Sequence, residues 1–431
     1  MLLTRLFELY HRQDLAQDPS TGLSDLVTAA RAAGLCHEQA SDFDHIDFDP
    51  DSEWRNWGNR EERKRYIIEY YVPNDRTMFA VYVFTTLLYS VTTSAFDVSE
   101  TFLLPSEVDL TLPCDEDIYA APSPAAWKTL NLSATEMPRF PYAFDALLRT
   151  QKASTSSFSS GRFSMFGALI LIAAVNSEIY RQILHNEDGC AGNVSMLQEK
   201  FEPALKAWEF AWRSHPHACL SATDSAYGPL PADSVPLLNL AYVKLFADTS
   251  RAIGVDQPIG DVFPFLCREK GGMSNVPHRI RVLKAVGYAI NSLFLSEWFV
   301  GVMGQSSAAT CSSPPKRNWS FVAPFAGLES AVVVGTWLDR LVQLRCPVRD
   351  PEAKFLGRMD HVFPSSGMKR GGVEGRRVVD VWGVLSDEDV LRSLPCRSPV
   401  SAILILSERT SSCRYPSKSR EVAIIFHVAQ C

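Results

Sequence analysis

Zinc modules, phosphate-binding loops and membrane spans each leave a short local signature, and this sequence lacks all three. No two of its ten cysteines stand two to four residues apart, so no tight turn can bring paired thiolates to one metal as a zinc finger or zinc cluster requires. Scattered singly, they read as isolated core thiols rather than a disulfide framework, which points to a reducing compartment. Neither G-x-x-x-x-G-K-[ST] nor G-x-G-x-x-G occurs, which removes the main support for a kinase or a dehydrogenase. A G-x-S-x-G nucleophile elbow is also missing, and Ser366-x-x-Lys369 stands without the S-D-N and K-T-G of penicillin-binding enzymes.

Long apolar runs are equally scarce. Residues 165–175 are too few for a bilayer, and 282–303 carry Lys284, Asn291, Ser292 and Glu297; both read as buried helices, with no membrane association expected. Arg5, Glu8, His11 and Arg12 break the N-terminal stretch before a signal-peptide core could form. Without a secretory route, the Asn-x-Ser sequons at Asn131, Asn193 and Asn318 carry no weight. Positive charge is in deficit too. The chain has 42 Lys+Arg against 49 Asp+Glu, a net charge of -7, so no global positive field draws it onto phosphate backbones. The deficit is concentrated in the first 150 residues, with 24 acidic and 12 basic side chains, while 345–420 is mildly basic.

Local clusters offer little catalysis. His215-Pro216-His217-Ala218-Cys219 has ligand types that suit zinc but no fourth ligand nearby, and reads as a helix end and loop. The acidic run from Asp42 to Glu53, started at Asp47, puts Ser52 and Gly58 where a calcium loop needs its Gly and its bidentate Glu. Cys114-Asp115-Glu116-Asp117 lacks the D-D-x-x-D spacing of a magnesium-dependent terpene synthase, and Pro113 argues for a loop. His185 beside Glu187 and Asp188 faces water at a helix end.

What is present is helical period in a chain of 46% hydrophobic residues, enough for a large core. Leu2, Leu3, Leu6, Leu9 and Tyr10; Leu26, Val27, Ala30 and Leu35; and Phe201, Leu205, Trp208 and Trp212 recur at the spacing of amphipathic helices. Further helices are expected over about 61–71, 77–94, 142–149, 166–183, 235–252, 278–303 and 328–344, so the fold class is all-α. Loops fall at 122–124, 228–234 and 306–317, and the Ser-rich 152–161 reads as a mobile linker. The helical body covers 1–348. In the tail, 349–431, the period fades, and 400–406 and 422–428 read as short strands.

Trp54-x-x-Trp57-x-x-x-Glu61-Glu62-Arg63-Lys64-Arg65 resembles the W-x-x-W-x-x-x-E-x-x-[RK]-R signature of the fungal-specific transcription factor domain, the helical middle homology region that follows a zinc-based DNA reader. Further on, Phe96-Asp97-Val98, Leu103-Leu104-Pro105-Ser106-Glu107, Leu112-Pro113-Cys114-Asp115, Ala120 and Trp127 are similar to that family's loop into an "LPC…W" element. A third block, from Gly228 through Leu237-Leu238-Asn239-Leu240-Ala241-Tyr242-Val243-Lys244-Leu245 to Asp248, resembles members that carry Cys-Cys-His-His fingers. The matches span about 1–345. Departures are the missing zinc module, an expected helix break at Val72–Thr77 around Pro73, and the tail.

The resemblance implies a non-enzymatic nuclear regulator of RNA polymerase II transcription, acting through coregulator proteins or the transcription machinery. It implies no cofactor in this chain, zinc and DNA contact belonging to a module outside it. Homodimerisation is left open, since sustained heptads are absent. In the first motif, Glu61 and Glu62 are expected in the first turn of a helix, against its positive dipole end. Arg63, Lys64 and Arg65 are expected in solvent, with Trp54 and Trp57 packed ahead. Cys114 is expected to pack as a small apolar residue in a buried loop. Asp42–Asp49 alternates acid with apolar residues and reads as an acidic loop or an activation-like segment. The second reading is a helical small-molecule-binding protein or enzyme whose pocket is lined by Trp208, Trp212, Tyr242 and Phe246.

Overall fold

The computed structural model describes residues 28, 31–32, 34, 36–37, 49–65, 103–133, 136–150, 163–185, 191–220, 225–227, 230–247, 280–293, 326–327, 329–330 and 333–337. The fold is all-α over these residues: 76% are helical and none lies in a strand, with isolated bridges pairing His37 with Asp109 and Thr111 with Arg139. The helices are α1 Pro50–Arg65, α2 Glu116–Tyr119, α3 Pro124–Ser133, α4 Phe140–Leu148, α5 Met165–His185, α6 Ala191–Arg213 and α7 Leu230–Phe246, with a 3-10 turn at Pro105–Glu107. Helical segments also occupy 280–293, 329–330 and 333–337. The expected strands at 400–406 and 422–428, the boundary at 348, the linker at 152–161, the break at Val72–Thr77 and the acidic stretch before Asp49 lie outside the described residues.

Two expectations are corrected. The helix expected from Glu61 begins at Pro50. Its start is set by Pro at the first helical position and by Asp49, whose carboxylate accepts the Ser52 amide at 3.3 Å, an N-cap that satisfies an otherwise orphan donor. Glu61 and Glu62 therefore sit about three turns into α1, not against its positive pole, and Trp54 and Trp57 belong to the helix. The second correction is at 228–234: Leu230 already opens α7, so helix replaces most of the expected loop.

The described residues group into two compact units. The first holds α1 to α4, α5 as far as Glu178, and Glu199–Ser234. Its centre is the start of α5, where Met165, Phe166 and every residue from Ala168 to Val175 are buried. Trp208 on α6 donates its indole N–H to the Ala168 carbonyl at 3.0 Å, and Trp212 donates to Pro231 at 3.2 Å. Near α1, Ile118, Ala121 and Trp127 form a core against which Trp54, Trp57, Cys114 and Ala126 pack.

The second unit takes Ile179–Gln198 and the residues from Val235 onward. Its core includes Tyr180, Leu240, Val243, Val286, Ile290 and Trp337. Tyr242 stacks on Tyr288 with ring centroids 4.2 Å apart, and Lys244, fully enclosed, faces Glu329 at 3.6 Å and the Tyr180 ring at 5.1 Å. Burial pulls the Lys244 ammonium below its ordinary range, with Glu329 opposing that shift.

Candidate functional site

The resemblance rests on sequence blocks some fifty residues apart, and the fold brings them into one node. Glu61 and Arg65 lie one helical turn apart on α1, so both point to the same side. They meet at 2.8 Å and both are buried. Opposite them runs the loop Leu112-Pro113-Cys114. Glu61 Oε1 accepts the Cys114 amide at 2.7 Å, and Arg65 donates to the Cys114 carbonyl and, at 3.4 Å, to its sulfur. A carboxylate and a guanidinium thus take both backbone groups of one loop residue, which would otherwise be without donors or acceptors in a dry place.

A third charge joins them. Glu116 is buried, and its carboxylate lies 3.9 Å from Arg65. Its other work is at the head of α5, where its two oxygens accept the Met165 and Phe166 amides at 3.0 and 3.1 Å. Ser164 completes that cap by accepting the Gly167 amide at 3.0 Å while donating to the Pro113 carbonyl at 2.9 Å. A negative charge at the positive end of a 21-residue helix is favourable. Space at Gly167 is tight: a Cβ would come within 3.2 Å of Ser164 Oγ and 3.3 Å of Phe163 Cβ, so those neighbours would have to give by a few tenths of an ångström.

Burial alone would raise the Glu61 carboxyl. The charges of Lys64 and Arg65, the Arg65 hydrogen bond and the Cys114 amide outweigh it and hold Glu61 below the usual carboxylate range. Burial likewise would lower Arg65, but Cys114, Glu61 and Glu116 keep it firmly protonated. The Cys114 thiol is pushed far above its ordinary range by burial and then by Glu61; thiolate is the reactive form, so this sulfur is inert. Arg65 also stacks over the Tyr119 ring at 4.3 Å, a cation–π contact.

The expectation of a solvated charge run thus fails at Arg65. Lys64 makes an ion pair with Glu61 at 3.2 Å, Glu62 is half-buried, and Arg63 continues the helix. Leu112 and Trp127 are fully enclosed, and Pro113 is buried beside them. Trp57 meets Trp127 at a centroid distance of 5.3 Å and an interplanar angle of 44°, so Trp54 and Trp57 do pack as anchors, though from within the helix. Cys114 packs among these rings. From the second block, Glu107 pairs with Arg31 at 2.9 Å, and Phe96–Val98 lies outside the described residues. The third block forms the buried face of α7, including Leu237, Leu240, Ala241 and Val243.

The aromatic quartet proposed for a pocket consists of core residues: Trp208 and Trp212 stack on each other in the first unit, and Tyr242 and Phe246 are buried in the second. His215 and His217, by contrast, stand beside Asp115 and Asp117, an arrangement of metal-ligand type. His185 is the last described residue of α5, and its acidic neighbours lie outside the described residues. No helix among the described residues is long and apolar enough to cross a membrane. Compared with family models, curated proteins and solved structures, the chain matches none.

Proposed function

We propose that this chain is the regulatory region of a fungal transcription factor. It works in the nucleus by binding coregulator proteins or the transcription machinery, and DNA is contacted through a zinc module outside these residues. The supporting observation is the node itself. The W-x-x-W-x-x-x-E-x-x-x-R helix and the Leu-Pro-Cys loop are separate in sequence, yet Glu61 and Arg65 grip the Cys114 backbone while Trp57 packs on Trp127. That interlock gives a physical reason for those residue types to occur in that order. It also fits binding rather than catalysis, because the one thiol in the node is held protonated and the charges are spent on backbone groups.

The test is transcriptional. The full chain fused to a heterologous DNA-binding domain is expected to change expression of a reporter several-fold relative to that domain alone, in either direction. Arg65→Ala, which opens the node, is expected to abolish the change. No change from the intact fusion, with the protein present in the nucleus, would reject the reading.

A further inference from the structure

His215-Pro216-His217 lies in the turn that follows α6, and Asp115-Glu116-Asp117 opens α2 some 100 residues earlier; each alone is short of metal ligands. Within the first unit the two meet. His217 Nε2 lies 3.0 Å from Asp117 Oδ2, and His215 Nε2 lies 3.6 Å from Asp115 Oδ2. Candidate ligand atoms of Asp115, Asp117 and His217 all fall within 4.8 Å of one another. Ligands about 2.0–2.2 Å from a tetrahedral ion stand roughly 3.3–3.6 Å apart, so modest side-chain rotation closes the set.

The hydrogen bonds around the cluster sort ligands from supports. His215 Nδ1 accepts the His217 backbone N–H at 3.1 Å. The proton of a neutral His215 ring is therefore on Nε2, the atom that faces Asp115 Oδ2 at 3.6 Å, so His215 supports that carboxylate electrostatically rather than serving as a ligand. Tyr227 donates its hydroxyl to Asp117 Oδ1, and its ring meets His217 edge-on at 5.0 Å. Asp117 is thus engaged at both oxygens, Oδ1 by Tyr227 and Oδ2 by His217, while Asp115 Oδ2 faces His215 Nε2 at 3.6 Å. On Asp115 the remaining oxygen, Oδ1, is buried and has no hydrogen-bond partner among the described residues. A carboxylate oxygen in that position is costly to bury unless something positive meets it.

We propose that Asp115, Asp117 and His217 bind one divalent transition-metal ion, zinc above others, with His215 and Tyr227 fixing the two carboxylates from behind. One imidazole nitrogen with two carboxylate oxygens suits zinc, and selects against calcium and magnesium, which take all-oxygen shells. Asp117 is about half exposed, at 53%, and His217 less so, at 24%, so the fourth position opens to solvent and is filled by water or by a donor group of a partner. The site ties the end of α6 to the residues that follow Cys114, and it stands whether or not the transcriptional reading does.

The experiment is zinc titration of the reduced, chelator-treated full chain by calorimetry, with magnesium as comparison and cobalt as a spectroscopic substitute. One zinc per chain is expected. Affinity should fall at least about 10-fold in Asp117→Asn and in His217→Ala, and measurably in Tyr227→Phe, since supporting partners carry roughly 10–100-fold of metal affinity. Asp117 and His217 are part-exposed, and unchanged far-UV circular dichroism in both variants checks that the fold survives. The cobalt form should show weak d–d bands that alter in His217→Ala, with no thiolate charge-transfer band. Equal zinc affinity in the parent and both variants, thiolate ligation in the cobalt spectrum, or no preference for zinc over magnesium would each overturn the proposal.

Discussion

Arg65 does more than its place in a charge run suggests. It meets a carboxylate on its own helix, a backbone carbonyl 49 residues away and a second carboxylate beyond that. Truncating it takes the guanidinium from the buried Glu116 and leaves the buried Glu61 with Lys64 alone, and removing one partner of a buried pair typically costs about 3–5 kcal/mol. Arg65→Ala is therefore expected to lower the urea midpoint by that much stability, whereas Arg55→Ala, on the exposed side of α1, should change it little. The pH dependence follows from Glu61. Its folded-state carboxyl lies below the usual range, so its contribution is fully present above the ordinary carboxylate value near 4.3 and is lost as pH falls through the lower folded value. Urea midpoints measured from pH 6 to pH 3 should fall less steeply in Glu61→Gln than in the parent. Cys114 gives a chemical check: iodoacetamide at pH 8 followed by peptide mapping should leave it unmodified in the folded chain and modify it once urea is added.

At the scale of elements, α1 depends on its N-cap and on one ring pair. Asp49→Ala removes the N-cap and is expected to cost about 0.5–2 kcal/mol, readable as a lower thermal midpoint. A double-mutant cycle on Trp57 and Trp127 should return a coupling of roughly 0.5–1.5 kcal/mol beyond their separate burial; no coupling would mean that the rings merely share a core. The long helices were legible in the sequence because apolar residues mark them at every turn: Phe201, Leu205, Trp208 and Trp212 give α6 its buried side. The front half of α1 was not. Between Pro50 and Arg60 the apolar landmarks are Trp54 and Trp57, set among Ser, Asn, Asp, Glu and Arg, so periodicity has little to register there. Capping chemistry was the signal available, in Asp49 followed by Pro50. Arg65 was misplaced in solvent for a different reason: charge runs are usually solvated, and its partners lie too far along the chain for spacing to reveal. The same holds for the His and Asp cluster, whose halves each fail as metal motifs until tertiary structure joins them.

For the whole molecule, the division between the two units is unusual in its position. It falls between Glu178 and Ile179 inside α5, between Gln198 and Glu199 inside α6, and between Ser234 and Val235 inside α7, whereas domain boundaries ordinarily fall in exposed linkers. A helix cannot end midway without exposing backbone donors and acceptors, so unfolding one unit should unravel helices that serve the other. Urea unfolding followed by tryptophan fluorescence and by far-UV circular dichroism is accordingly expected to give coincident transitions. Separated transitions would mean that the helices can break at the boundary. In the second unit, Lys244 and Glu329 form a buried pair whose net worth is small even though loss of either partner is expensive: Glu329→Ala should be strongly destabilising, while joint replacement by apolar residues of similar volume should come close to neutral.

The grip on Cys114 has an evolutionary consequence. Glu61 and Arg65 hold that residue chiefly through its amide and carbonyl, which every residue but proline presents alike. Sequence drift at 114 should therefore be tolerated among small side chains, with Ser or Ala serving nearly as well. Drift at 61 or 65 should survive only where the loop is rebuilt with it. The lineage's memory of this junction would be written in the two residues that grasp, and hardly at all in the one that is grasped.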